Sequence, residues 1–193
     1  MRSRKSAAPI GAPAGVMGWL ERLAVAVAMT ALGMASATPA SADLYGLVVG
    51  IDDYPGDSAD LEGSRNDAED IAGALEAAGA RSIVKLLDGQ VTRAALTGAF
   101  DQIVAKANTG DTLVFSFSGH GAQEPEPAGR DGEADGKNEV FLLAGYQTSG
   151  VGTRERLVDD EIFLLMQKAD AKGIRTVFLA DSCHSGTMNR GVA

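Results

Sequence analysis

Residues 111–121 read Asp111-Thr112-Leu113-Val114-Phe115-Ser116-Phe117-Ser118-Gly119-His120-Gly121, an apolar run that closes in a small-residue turn around a histidine. A run of this length, apolar on both parities, reads as a β-strand buried on both faces. The arrangement recurs at Ile174-Arg175-Thr176-Val177-Phe178-Leu179-Ala180-Asp181, followed by Ser182-Cys183-His184-Ser185-Gly186. The chain has one other histidine, His184, and no other cysteine. In an open parallel sheet, the carboxyl ends of the strands are where ligands meet residues from separate loops. A histidine and a cysteine brought to that edge, 63 residues apart, suggest a thiolate nucleophile and its acid/base partner.

Outward from these two strands, strand and helix alternate. Residues 44–51 (LYGLVVGI) form a further buried strand, and the acidic, turn-rich stretch 52–63 reads as a loop. Ser64 or Asn66 caps a helix carrying Ala68, Ile71, Ala72, Leu75 and Ala78, and Gly79 stops it. Residues 82–87 make a second strand. Thr92 caps a second helix with Ala95, Leu96, Ala99, Phe100, Ile103, Val104 and Ala107 on one stripe. Residues 119–138 are rich in Gly, Pro and acids and read as a long exposed loop. A short strand is expected at 140–143, then a Gly/Thr/Ser stretch to Arg156. A helix starts at Asp159 or Asp160 with Ile162, Phe163, Leu165 and Met166, and a strand follows at 174–180. This order predicts an α/β fold with a mainly parallel sheet.

The amino terminus stands apart. Arg2, Arg4 and Lys5 precede a 13-residue apolar run from Leu23 to Ala35, and Ala40-Ser41-Ala42 offers small residues for a signal peptidase. The expectation is a signal peptide over residues 1–42, export to the periplasm or the extracellular space, and one domain over residues 43–193. The apolar run is shorter than the roughly 20 residues that span a bilayer, so no membrane anchor is expected after cleavage. Removing four basic residues and Glu21 leaves 13 basic and 25 acidic side chains, a net charge of −12. Such a surface disfavours nucleic acid and anionic lipid, and favours cationic partners or divalent metal. With a single cysteine there is no intrachain disulfide, so an exported Cys183 is a free thiol where idle thiols oxidise.

A thiol needs an imidazole beside it to act as a nucleophile at neutral pH. The amide of Gly121, with that of Cys183, is placed to hold a developing oxyanion. His184 competes as the base, but adjacent side chains usually point apart, which favours His120 arriving from a neighbouring strand. A metal reading of His120, Cys183 and His184 lacks a fourth ligand and a usual ligand spacing. Asp181 activates a thiol poorly, because negative charge raises thiol pKa; it is a good receptor for an Arg or Lys side chain.

These residues resemble the caspase-like cysteine peptidases, in particular their metacaspase and orthocaspase branch. The resemblance rests on YGLVVGIDDY, LEGSRNDAEDI, DTLVFSFSGHG, EADGKNEVFLLAGY, LVDDEI and VFLADSCHSGT, and runs from Leu44 to about Thr187. It implies a three-layer caspase-like sandwich, a catalytic dyad of His120 and Cys183, and an oxyanion site at the Gly121 and Cys183 amides. It also places Asp67, Ser118 and Asp181 in an acidic pocket for the Arg or Lys that precedes the scissile bond. Leu61 stands where caspases carry the arginine that binds substrate aspartate, and Ser64 where many metacaspases have a cysteine. No cofactor is required by this resemblance, and calcium is the metal it admits: Asp135, Asp159 and Asp160 match acidic calcium-binding residues. A further expected aspartate is replaced by Asn189 or Arg190, and Asp159 or Asp160 is equally suited to cap a helix.

Caspase-like domains normally continue beyond the cysteine motif with strands that complete the sheet. The sequence reading therefore expects the Thr176–Leu179 strand at an open edge, to be covered by a partner chain or by self-association. The leading expectation is a secreted thiol protease that cleaves peptide or protein substrates after Arg or Lys. The alternative is an inactive caspase-like binding module, or a gene fragment that needs a partner chain. A receiver-like phosphoacceptor role for Asp52 or Asp53 is disfavoured by export and by the lack of a lysine after the fourth strand.

Overall fold

A computed structural model describes residues 42–54, 60–126, 136–146 and 155–183. Residues 1–41, where the expected leader falls, lie outside the described residues, as do Asp135, His184, Asn189 and Arg190. Four parallel strands form the main sheet: β1 (Leu44–Gly50), β2 (Ser82–Leu87), β3 (Thr112–Ser118) and β7 (Arg175–Asp181). Their order is β2-β1-β3-β7. Three shorter strands, β4 (Gly121–Pro125), β5 (Lys137–Leu142) and β6 (Arg156–Val158), form a separate antiparallel sheet in the order β4-β5-β6.

The period-two alternation of β1 sends successive side chains into two different layers. Val48 meets Ala68 and Leu75 of helix α1 (Ser64–Ala77). Gly50 lets this helix approach the strand closely, since a Cβ there would lie 2.4 Å from the Ser64 carbonyl oxygen. Leu47 and Val49 face the opposite way into the larger core. That core contains Leu96, Phe100 and Ile103 of α2 (Arg93–Lys106) and Ile162 and Met166 of α3 (Asp159–Asp170). Helices therefore cover both faces of β1, in the three-layer arrangement that the resemblance implies.

The two sheets share an aromatic core. Phe117 of β3 stacks on Phe141 of β5 with ring centroids 3.9 Å apart, and Phe178 of β7 lies 5.9 Å from Phe141. Truncating a buried phenylalanine of this kind to alanine typically costs about 3–5 kcal/mol. On the side facing away from this core β7 is open: Val177 and Leu179 are 39% and 43% exposed. Among the described residues, β7 is one of the two outer strands of the main sheet, β2 being the other.

Four local expectations need correction. Residues 121–125 and 137–138, read as loop, pair as strands, because β4 takes its order from its partner β5 and not from an apolar pattern of its own. Residues 156–158, at and just past the end of the expected Gly/Thr/Ser stretch, form β6 against β5. Neither Asp159 nor Asp160 caps α3; its N-cap is Val158, and Asp159 is the first helical residue. At α1 the N-cap is Gly63, and Ser64 opens the helix. The cap is supplied from a distance: the Asp52 carboxylate accepts the Ser64 N–H at 2.8 Å and the Arg65 N–H at 3.4 Å. Thr92, by contrast, caps α2 as the sequence indicates, with its hydroxyl oxygen accepting the Ala95 N–H at 3.1 Å.

Candidate active site

β3 and β7 are adjacent parallel strands in register, Ser118 opposite Asp181, so their carboxyl ends finish side by side. Immediately past them, the Gly119 N–H donates to the Asp181 carbonyl at 3.2 Å. Two residues further on, the contact tightens. A Cβ built on Gly121 would lie 2.0 Å from the Cys183 carbonyl oxygen and 3.1 Å from the Ser182 hydroxyl oxygen. The segments bearing His120 and Cys183 thus meet backbone to backbone, and glycine is the residue that permits it.

Cys183 is exposed and free, one residue beyond Ser182 in the turn after β7. A strand running on to Cys183 would have put it on the Asp181 face; β7 ends at Asp181, so that relation does not apply. His120 is half-buried. The Leu142 N–H donates to the His120 carbonyl at 3.0 Å, while Gly121 is paired with Phe141. In an antiparallel ladder this is the pattern of a non-hydrogen-bonded pair, which leaves the Gly121 N–H outside the ladder. An open cavity of about 530 Å³ begins at Gly121 and runs along β4, lined also by Gly136 and Lys137.

The three residues expected to line a pocket lie on one side of the main sheet. Gly50, Ser118 and Asp181 are register partners across β1, β3 and β7, so they point to the same face. The close approach of Gly50 to Ser64 identifies it as the face covered by α1. Ser118 is buried, Asp181 is exposed, and Asp67 sits exposed in the first turn of α1. Leu61 is half-buried and its N–H donates to the Asp52 carbonyl at 2.9 Å. Asp159 is buried and Asp160 half-buried at the start of α3, and Asp135 falls outside the described residues. Among the described residues, no three His, Cys, Asp or Glu side chains gather as a metal site.

Two residues matter here that sequence reasoning did not assign. Tyr54 follows β1 and is buried, with its hydroxyl oxygen accepting the His120 backbone N–H at 2.8 Å. Asp88, in the left-handed region at φ 44°, accepts the Asp52 and Asp53 N–H groups at 2.9 and 3.2 Å and pairs with Arg65. The carboxylate of Asp52, weighed above as a phosphoacceptor, is engaged in capping α1. The signal for Tyr54 was a tyrosine in an otherwise acidic, polar stretch, but nothing local points to a partner 66 residues away.

Comparison with known proteins gives one answer. Residues 45–190 match the metacaspase, peptidase C14 domain. The chain is 36% identical over 149 residues to Metacaspase-1 of Mycosarcoma maydis, covering 73% of this chain and 35% of that protein. It is 35% identical over 151 residues to Metacaspase-1 of Saccharomyces cerevisiae, covering 74% of this chain and 33% of that one. The chain therefore spans about a third of the length of the curated relatives it matches. Among solved structures, a protein from Geobacter sulfurreducens superposes with a TM-score of 0.60 at 30% identity, over 75% of this chain and 52% of the other.

Proposed function

Since the chain belongs to the metacaspase peptidase C14 family, we propose that it is a cysteine endopeptidase in which Cys183 is the nucleophile and His120 its acid and base. The observation that carries this reading is the contact of Gly121 with the Cys183 carbonyl, which brings the two segments together at the end of the sheet. The Cys183 thiol gives its proton to His120, and the sulfur attacks the peptide carbonyl carbon. The resulting oxyanion is held by the Gly121 and Cys183 amides. The C–N bond breaks as His120 protonates the leaving amine, leaving a thioester. Water, deprotonated by His120, attacks the thioester, and the C–S bond breaks to release the acid and the thiol.

Specificity in this reading is for Arg or Lys before the scissile bond. The support is the placement of Asp181, Ser118 and Asp67 on the α1 side of the sheet, with two carboxylates and no opposing base among these three. Calcium requires about six to eight oxygen ligands. Asp159 and Asp160, adjacent at the start of α3, would together with Asp135 contribute carboxylate oxygens to such a site; activity with and without a chelator tests whether calcium is needed. The β7 edge, outermost among the described residues, is proposed to pair with a partner chain or a second copy, which light scattering measures directly. Export is proposed from the leader-like residues 1–42, and the amino-terminal sequence of the secreted protein tests it.

The decisive experiment compares wild type, Cys183→Ala and His120→Ala in hydrolysis of an Arg-containing fluorogenic peptide and in labelling by a thiol-directed peptidyl inhibitor. Cys183→Ala should abolish both, and His120→Ala should abolish turnover while the circular dichroism stays native. Full activity of Cys183→Ala would end the peptidase reading. A wild-type chain that neither cleaves nor labels would favour the non-catalytic binding module.

A further inference from the structure

We propose that Tyr54 is a positioning residue for His120, an inference that rests on the dyad reading above and deepens it. The geometry is a closed circuit of three residues. The His120 N–H donates to the Tyr54 hydroxyl oxygen at 2.8 Å, the Tyr54 O–H donates to the Leu142 carbonyl at 3.2 Å, and the Leu142 N–H donates to the His120 carbonyl at 3.0 Å. A hydroxyl has a single proton, so its donation to Leu142 leaves the oxygen to receive the His120 amide. Both backbone polar groups of the histidine are tied down. The phenol also touches the imidazole, with ring centroids 4.8 Å apart and planes inclined by 50°.

Two further observations show that the surroundings are shaped around this phenol. A Cβ on Gly119 would lie 2.6 Å from the Tyr54 hydroxyl oxygen, so the residue before the histidine must be glycine for the circuit to close. The Tyr54 N–H is itself fixed by the Asp60 carboxylate at 3.2 Å. Burial raises the phenol pKa above its ordinary value, so the hydroxyl keeps its proton wherever an imidazole titrates. The circuit draws on three separate parts of the fold: the segment after β1, the turn after β3 and the end of β5.

A histidine that moves a proton between a thiol and a leaving amine has to be held to within about half an ångström. Tyr54 supplies this by holding the His120 amide directly, by holding Leu142, whose own amide binds the His120 carbonyl, and by packing against the imidazole. Tyr54 packs into the larger core, on the opposite face of the sheet from Ser118 and Asp181, so its loss should act on the chemical step and spare substrate binding.

The test uses the full chain carrying Tyr54→Phe, which keeps the ring and removes both hydrogen bonds, and Tyr54→Leu, which removes the ring as well. The imidazole signals of His120 are identified in NMR spectra by their disappearance in His120→Gln. Alkylation of Cys183, the only cysteine in the chain, is followed against pH. In Tyr54→Phe the His120 ring signals should shift and broaden, and in Tyr54→Leu they should shift further as the neighbouring ring current is lost. Alkylation at neutral pH should slow by about tenfold, because small misplacements of a reacting group have costs of that order or larger. Peptide turnover should lose kcat by a similar factor, with KM changed by less than about twofold.

A purely structural tyrosine would lower Tm and leave the ring signals and the alkylation profile in place. Unchanged signals and profile in folded Tyr54→Phe, with His120→Gln still slowing alkylation, would overturn the inference and leave the dyad standing. If His120→Gln does not slow alkylation, the dyad reading falls, and the ring signals alone then decide whether Tyr54 orients His120.

Discussion

Asp181 is exposed, while its register partner Ser118 is buried, so the carboxylate stands at the mouth of the row that Ser118 floors. A charge-assisted pair with a substrate cation that becomes desolvated on binding is worth roughly 1.5–3 kcal/mol, about tenfold to a hundredfold in kcat/KM. Asp181→Asn should cost near the lower end on Arg and Lys peptides, because the site starts solvated, and nothing on neutral ones. Equal losses on both would mean that Asp181 supports the turn to Cys183 and does not select substrate. At this scale the sequence is uneven in what it reveals. His120 and Cys183 are legible because each is a rare residue at the end of a recognisable strand. Tyr54 and Asp52 are not, because their partners are 66 and 12 residues away and are chosen by the fold.

Among the elements, the parallel strands and all three helices follow directly from apolar periodicity. β4 and β6 do not: Gly-Ala-Gln-Glu-Pro and Arg-Leu-Val are too short or too polar to signal a strand. What orders them is cross-strand chemistry. The Arg156 guanidinium makes two 2.6 Å hydrogen bonds to Glu124, linking β6 to β4 across β5, and the Gln123 amide donates to Glu139 at 3.0 Å. At the opposite end of the main sheet, Asp111 holds the strand starts together. Its carboxylate accepts the Asn108 N–H at 2.7 Å and the Asp43 N–H at 2.8 Å. These bonds, with Arg81 and Lys172 nearby, hold its pKa below the usual carboxylate value. A depressed folded-state pKa means that the unfolded chain binds the proton more readily. The contribution of Asp111 is therefore complete above about pH 4, the ordinary carboxylate value, and is lost as pH falls toward the folded-state pKa. Thermal melts between pH 2 and 5 should show Asp111→Asn less stable than wild type at pH 5, the gap closing as the solution is acidified. A gap independent of pH would remove the titration from the account.

For the molecule as a whole, the alternating order of elements already implies helices on both faces of a parallel sheet, and the structure has that architecture. The placement of the two chemical groups within it has a less evident consequence. His120 follows β3, an inner strand, whereas Cys183 follows β7, which is flanked by one described strand and has an open face. Opening free energies within a protein vary with local burial, and lightly covered segments open first. Amide hydrogen exchange should therefore proceed faster along β7 than along β1 and β3, and β7 protection matching that of β1 would refute this. If the gradient holds, heat should silence the thiol before it melts the protein. Under the proposed dyad, His120 would stay seated in an intact sheet while Cys183 drifts off with a fraying border strand, so half-inactivation should come several degrees below the midpoint seen by circular dichroism.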